Sequence, residues 1–221
     1  MCYLGYKEGG FNLNILNLYA GIGGNRRLWG DEHSITAVEY NPKIAEQYGR
    51  LYPSDKLIIG DAKEYLLNNY QDYDFIFASP PCQSHSRARF SAYSESKPVY
   101  PDFTLYEIII FLKTHFSGKY LVENVVPYYE PLIKENYKIS RHLIWSNINL
   151  QFLINWKGPS NLQITTCKEF EQMYDIKIPK PKEGKRGFEL IRLYRNCVEP
   201  KLGLAILNEL KRPVVTLEAF R

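Results

Sequence analysis

Cys82 closes the stretch Asp74-Phe75-Ile76-Phe77-Ala78-Ser79-Pro80-Pro81-Cys82, just before Gln83, and a thiol is the strongest nucleophile a side chain offers. To attack, it needs a lowered pKa or a neighbour that takes its proton. Otherwise a lone cysteine is a small buried hydrophobe. Glu123, in Glu123-Asn124-Val125, can exchange a proton with a heterocycle and so activate the ring for attack. Gly21-Ile22-Gly23-Gly24 after a strand offers backbone amides to a ligand, although it could equally be a plain tight turn. Glu39 ends the next strand about 20 residues beyond the glycines, where nucleoside-binding sheets bond a ribose. Asp61 can cap a helix, accept a bond from a bound adenine, or do both. A thiol and a carboxyl beside an adenosine-shaped pocket suit methylation of an unreactive ring carbon better than hydride transfer.

These residues need a scaffold that brings them to one edge. Phe75 to Ala78 reads as a buried strand, and Ser-Pro-Pro forces an extended exit, so Cys82 arrives on a stiffened loop. Leu13 to Leu18, Ile35 to Val38, Leu57 to Ile59 and Lys119 to Val122 read as further strands, and His142 to Ser146 as another. The pattern predicts a helix over 25–29 behind the glycine turn and one capped by Asn41 with Pro42 in its first turn. Others follow Asp61, run from about Pro101 to His115, and close the chain over Leu202 to Leu210. Residues 83–96 read as a mobile loop. Strands alternating with helices, each strand ending in a polar or glycine residue, give an α/β fold. It is a doubly wound, mostly parallel sheet with its site along the carboxyl edge.

The composition fits one domain with a small appendage: 221 residues, 45% hydrophobic, 24% charged. The cysteines at 2, 82, 167 and 197 form no Cys-x-x-Cys pair, so no metal site is expected. No signal peptide or membrane-spanning run is visible, and free thiols suggest a reducing, cytoplasmic setting. A net charge of +4 permits a nucleic-acid partner without requiring one. Lys177, Lys180, Lys182, Lys185 and Arg186 form a basic set that is either a solvated face or a phosphate-contacting one.

As a set, Leu18-Tyr19-Ala20-Gly21-Ile22-Gly23-Gly24, Glu39, Asp61, Pro80-Pro81-Cys82-Gln83 and Glu123-Asn124-Val125 resemble the cytosine-5 DNA methyltransferases. The likeness runs over roughly 13–146 and returns at Asn196. It implies a Rossmann-like class I fold using S-adenosylmethionine, which becomes S-adenosylhomocysteine, and double-stranded DNA as partner. By resemblance, Cys82 attacks carbon 6 of a flipped-out cytosine, Glu123 bonds nitrogen 3, and Arg141 holds the carbonyl oxygen. The cofactor falls to Tyr19, Gly21, Gly23, Gly24, Glu39, Tyr40, Asp61, Pro81 and Asn196. Gln83, Ser86, Arg87, Lys180, Lys182, Lys185 and Arg186 fall to the DNA.

The likeness thins after Glu123. The family's paired arginines are reduced to Ser140-Arg141-His142, so His142 stands in for the missing partner. The last motif reads Arg195-Asn196 where Gly-Asn is usual. The expected division is a catalytic and cofactor domain at 1–146, a small target-recognition region at 147–190, and a returning segment at 191–221. A reader of several bases normally needs more surface than about forty residues provide, which leaves room for a separate specificity subunit. The setting implied is prokaryotic or phage-encoded. Three other readings compete. One is a methyltransferase acting on RNA such as tRNA, and another is a non-catalytic relict that binds DNA. The third is a nicotinamide oxidoreductase, against which Gly21-Ile22-Gly23-Gly24-Asn25-Arg26 lacks the last fingerprint glycine.

Overall fold

Short apolar runs become strands here, and prolines, glycines and capping side chains decide where each stops. The computed structural model describes residues 12–90, 98–156, 166–178 and 187–211, with side chains from Leu190 onward in the last stretch. Strand β1 (Asn14–Leu18) is buried from Ile15 on and runs into the glycine loop. A 3-10 turn, Asn25–Leu28, follows where the sequence predicts a helix. Packing explains the difference. Arg26 is buried in bonds to Asp55, Trp29 is buried against Phe75 and Phe77, and Gly30 at φ +81° turns the chain away. So short an element supplies little helix dipole to the glycine loop.

Strand β2 (Ser34–Glu39) leads to α1 (Pro42–Leu51), where Asn41 Oδ1 accepts the Lys43 and Ile44 amides. Strand β3 (Lys56–Ile59) leads to α2 (Ala62–Asn69), capped by Asp61. Strand β4 (Phe75–Ala78) is buried at every position, each large side chain contributing roughly 1.5–3 kcal/mol. Then come a 3-10 turn at Arg87–Phe90, α3 (Thr104–His115) and β5 (Lys119–Val125). Strands β6 (Tyr137–Ile139) and β7 (His142–Ser146) form a hairpin turned by Ser140 at φ +51°. After a 3-10 turn at Gln151–Asn155 come α4 (Cys167–Tyr174), α5 (Gly187–Arg195) and α6 (Pro200–Leu210).

The seven strands make one sheet in the order β3-β2-β1-β4-β5-β7-β6. The first five pair in parallel, and β7 runs antiparallel to both β5 and β6. This is the doubly wound, mostly parallel sheet that the strand–helix alternation predicts. Helices α2 and α3 cover the face carrying Leu16, Ile76 and Val122, while α6 and Trp29 cover the face carrying Ile15, Phe77 and Leu121. Chain order reverses at β1, which lies between β2 and β4, and ligands of open α/β sheets bind at such a crevice. Ile148, Leu150 and Leu153 are buried in the same core as Ile144. Helices α4 and α5 share a third cluster, in which Phe170, Tyr174 and Tyr194 meet Ile22 of the glycine loop and Ile44 and Leu51 of α1. Among the described residues no helix is long and apolar enough to cross a membrane, and no group of three His, Cys, Asp or Glu is placed to hold a metal ion.

Candidate active site at the carboxyl edge

The parallel pairing of β4 with β5 ends at Ala78↔Val122, one residue before Glu123. Pro80 and Pro81 carry no N–H and cannot extend the ladder, so β4 peels away there. Glu123 keeps its other neighbour, pairing with Ile144 of β7, and has no partner on β4. His142 Nε2 lies 3.7 Å from Glu123 Oε1. Buried Asn124 donates from Nδ2 to the Pro80 carbonyl at 2.9 Å, fastening the proline turn to β5. Beyond the prolines the Cys82 carbonyl accepts the His85 and Ser86 amides, so Cys82 opens a tight turn.

Burial pushes the Cys82 thiol pKa up, and the Glu123 charge pushes it further. A hydrogen bond at the Cys82 backbone and the positive charge of Arg141 act the other way. The Glu123 and Arg141 charges thus both reach the Cys82 thiol, in opposite senses. Beside them a cavity of about 330 Å³ is lined by Ser86, Arg87, Val125, Lys138, Ser140 and Arg141. Arg87 is braced on its rim by donating from Nε to the Pro127 carbonyl, and Ser86 bridges to Pro127. Gln83 is exposed one residue past Cys82. Lys180, Lys182, Lys185 and Arg186 lie outside the described residues.

The second cluster lies at the ends of β1, β2 and β3. Glu39 accepts the Gly21 amide on Oε2 at 3.0 Å and the Asn41 amide on Oε1 at 2.9 Å, pinning the glycine loop to β2. Asn17 and Asn25 exchange side-chain hydrogen bonds beneath that loop. Gly21 has φ +57° with open space where a Cβ would point, whereas a Cβ on Gly23 would meet the Tyr52 and Tyr48 rings. Gly24 is closed over by Val198 and Cys197, which sets neighbouring Asn196 beside the loop although it is 172 positions away. The Cys197 thiol is pushed up to about 12 by burial, with the Gly24 and Ile22 amides acting oppositely, so it is an inert packing group. Asp61 caps α2 with Oδ1, leaving Oδ2 for a ligand to address. Tyr19, at φ +56°, has its hydroxyl pKa raised by burial and then by Asp61, Asp102 and Glu107. Tyr40 is 76% exposed. Pro81 is exposed at the bend.

Asn124, Asn17 and Asn25 had no role in the sequence reading. Asn17 and Asn124 stand inside strands, where asparagine is disfavoured, and that is the available signal; Asn25, in the 3-10 turn, carries none.

The family description that matches this chain is C-5 cytosine-specific DNA methylase, over residues 13–140. No curated protein matches. Among solved structures, a mutant DNMT2 from Spodoptera frugiperda aligns at 27% identity over 51% of this chain and 35% of that one, with TM-score 0.36. An S-adenosylmethionine-dependent methyltransferase from Agrobacterium tumefaciens aligns at 14% over 55% and 41%, with TM-score 0.40. A methyltransferase from Entamoeba histolytica aligns at 15% over 52% and 39%, with TM-score 0.37. The chain thus spans about a third to two fifths of the length of these proteins. S-adenosylmethionine is the methyl donor of the matching family. The residues present fit it. Acceptors on Glu39 and Asp61 suit ribose hydroxyls and an adenine amino group, and Gly21 faces open room. With the match covering more than half of its residues, this chain belongs to the C-5 cytosine-specific DNA methylase family.

Proposed function

We propose that this chain transfers a methyl group from S-adenosylmethionine to carbon 5 of cytosine in double-stranded DNA, through a covalent adduct on Cys82. The observation that supports this most is that the Glu123 and Arg141 charges both act on the Cys82 thiol, in opposite senses. Cys82 Sγ bonds to carbon 6 of the ring, and the electron pair of the 5,6 double bond moves to carbon 5. The proton that Cys82 gives up passes to Glu123, whose carboxylic acid donates to nitrogen 3, while Arg141 donates to the ring carbonyl oxygen, so the charge pushed into the ring is met by fixed groups. Bound S-adenosylmethionine supplies an electrophilic methyl group. Carbon 5 takes it and gives up its proton to water, and the restored double bond expels the Cys82 thiolate. Because burial and Glu123 raise the thiol pKa, Cys82 rests protonated, and Arg141 is the charge that favours its thiolate during attack.

Tyr19, Gly21, Gly23, Gly24, Glu39, Tyr40, Asp61, Pro81 and Asn196 hold the cofactor in this reading. Gln83, Ser86, Arg87 and the basic set Lys180, Lys182, Lys185 and Arg186 hold the DNA. The target carbon is inaccessible inside a stacked duplex, so the cytosine is extruded into the cavity beside Arg87 and Arg141. Duplex DNA carrying 5-fluorocytosine tests the proposal, because fluorine cannot leave as a proton does and the adduct is trapped. Wild-type protein should form it with cofactor present, and Cys82→Ser should not. An equal adduct in Cys82→Ser would remove Cys82 from the role, and methylation of tRNA in preference to duplex DNA would overturn the substrate.

A further inference from the structure

His85 is almost wholly buried, three residues past Cys82, in a turn that should otherwise be polar and wet. Its main chain already ties two parts of the site together. His85 N donates to the Cys82 carbonyl at 3.0 Å, and its own carbonyl accepts the Tyr128 amide at 3.1 Å, just beyond the strand that carries Glu123. Its ring is edge-on to Tyr106 of α3 and tilted against Tyr129.

The side chains form a hydrogen-bond chain whose direction can be deduced. The Leu132 amide donates to the Tyr106 hydroxyl at 3.3 Å, and Tyr106 donates its one proton to the Tyr129 hydroxyl at 3.3 Å. Tyr129 has then accepted once, and giving its own proton to His85 Nδ1, 2.5 Å away, is the arrangement that leaves no hydroxyl hydrogen of the chain without an acceptor. Nδ1 is therefore an acceptor, and the neutral imidazole carries its hydrogen on Nε2. Among the described residues Nε2 has no partner at full hydrogen-bond geometry, although the Asp102 main chain bears on the ring. A second proton, on Nδ1, would turn that atom into a donor. Tyr129 would then receive two donors and would need a new acceptor for its own hydrogen.

We propose that His85 is a positioning residue, whose neutral imidazole clamps the Cys82 turn to the segment after β5 and to α3, and whose protonation releases the clamp. The inference rests on the role given above to Cys82 and Glu123, since what the clamp fixes is the distance between the two. The groups facing the ring are Tyr106 from α3, Tyr129 after β5 and the Asp102 carboxylate ahead of α3. Burial lowers the His85 pKa, while the Asp102 charge and main chain oppose that. The clamp is thus intact above the ordinary histidine range and is lost as pH falls through the lowered value. Acid should slow methyl transfer by loosening geometry rather than by weakening substrate binding.

Two variants and one spectrum test this. Nitrogen NMR of the wild-type imidazole should show the Nε2–H tautomer at neutral pH. His85→Phe keeps the ring's bulk and removes Nδ1. It should lower kcat about tenfold, with KM for duplex DNA unchanged, and abolish the acid fall in kcat. Tyr129→Phe removes the donor that favours the neutral ring, so it should move that fall to higher pH. An Nδ1–H tautomer, or a His85→Phe enzyme with wild-type kcat and the same acid fall, would overturn the clamp. Should His85→Phe not fold, the direction of the Tyr129→Phe shift decides. If the wild-type protein methylates no cytosine-containing nucleic acid, the proposed function fails, whereas the tautomer still decides whether the clamp exists.

Discussion

Replacing Gly23 and Gly21 separately by alanine should divide what the glycine loop owes to folding from what it owes to binding. Both have left-handed backbones, at φ +73° and +57°. That conformation costs a residue with a Cβ about 1–2 kcal/mol. The space around them differs. A Cβ on Gly23 would run into the Tyr52 and Tyr48 rings, and neither can retreat easily. The Tyr48 hydroxyl donates to Asp55 at 2.7 Å, and the Tyr52 hydroxyl donates to the Gly23 carbonyl at 2.7 Å. Forcing a methyl into such packing adds about 1–3 kcal/mol. Gly23→Ala should therefore lose about 2–5 kcal/mol and Gly21→Ala about 1–2 kcal/mol. For a chain of this size each kcal/mol shifts Tm by about 2–4 °C, so the losses are about 4–20 °C and about 2–8 °C. Thermal unfolding by circular dichroism measures both. Titration calorimetry with S-adenosylmethionine should show the opposite order, because the Gly21 methyl would project into the room that the cofactor is proposed to fill. If Gly23→Ala melts within a degree or two of Gly21→Ala, the assignment of Gly23 to packing is wrong.

Three further outcomes are expected. Alkylation of Cys82 by iodoacetamide should quicken at lower pH in Glu123→Gln and need higher pH in Arg141→Ala, since these charges act on the thiol in opposite senses; unchanged profiles would mean that the charges do not reach it. Glu39→Ala should weaken S-adenosylmethionine binding and also lower Tm, because the carboxylate holds the Gly21 and Asn41 amides; an unaltered Tm would show that the loop holds itself. Bisulfite sequencing of DNA from cells expressing this chain alone should show a target of about two to four base pairs, given how few side chains remain to read base edges. Methylation confined to a site of about six base pairs or more would refute that.

The main features of the fold could be read locally. Asn41 followed by Pro42, Asp61 before α2, and Pro80-Pro81 after β4 announce element boundaries because cap bonds and missing amides act within a few residues. The site motifs were legible in part for a related reason: β4 stops before Pro80-Pro81 and so delivers Cys82 at the carboxyl edge. Glu123 instead lies inside β5, which does not end at Val122 as its own sequence suggests but runs on to Val125 because β7 pairs with it. What stayed hidden depends on partners distant in the chain. Whether residues 25–29 form a helix or a 3-10 turn is decided by burial of Arg26 on Asp55 and of Trp29 on Phe75 and Phe77. Strand β6, three residues long, exists because β7 offers it an edge and Ser140 turns the chain. The seating of α4 and α5 on Ile22 follows from a shared apolar cluster that no local pattern specifies. His85 reads in sequence as one polar residue of a loop, and only the folded chain surrounds it with Tyr106 and Tyr129. Propensity and capping are short-range and written in neighbouring residues, whereas burial and hydrogen-bond direction belong to groups that meet only after the sheet has closed.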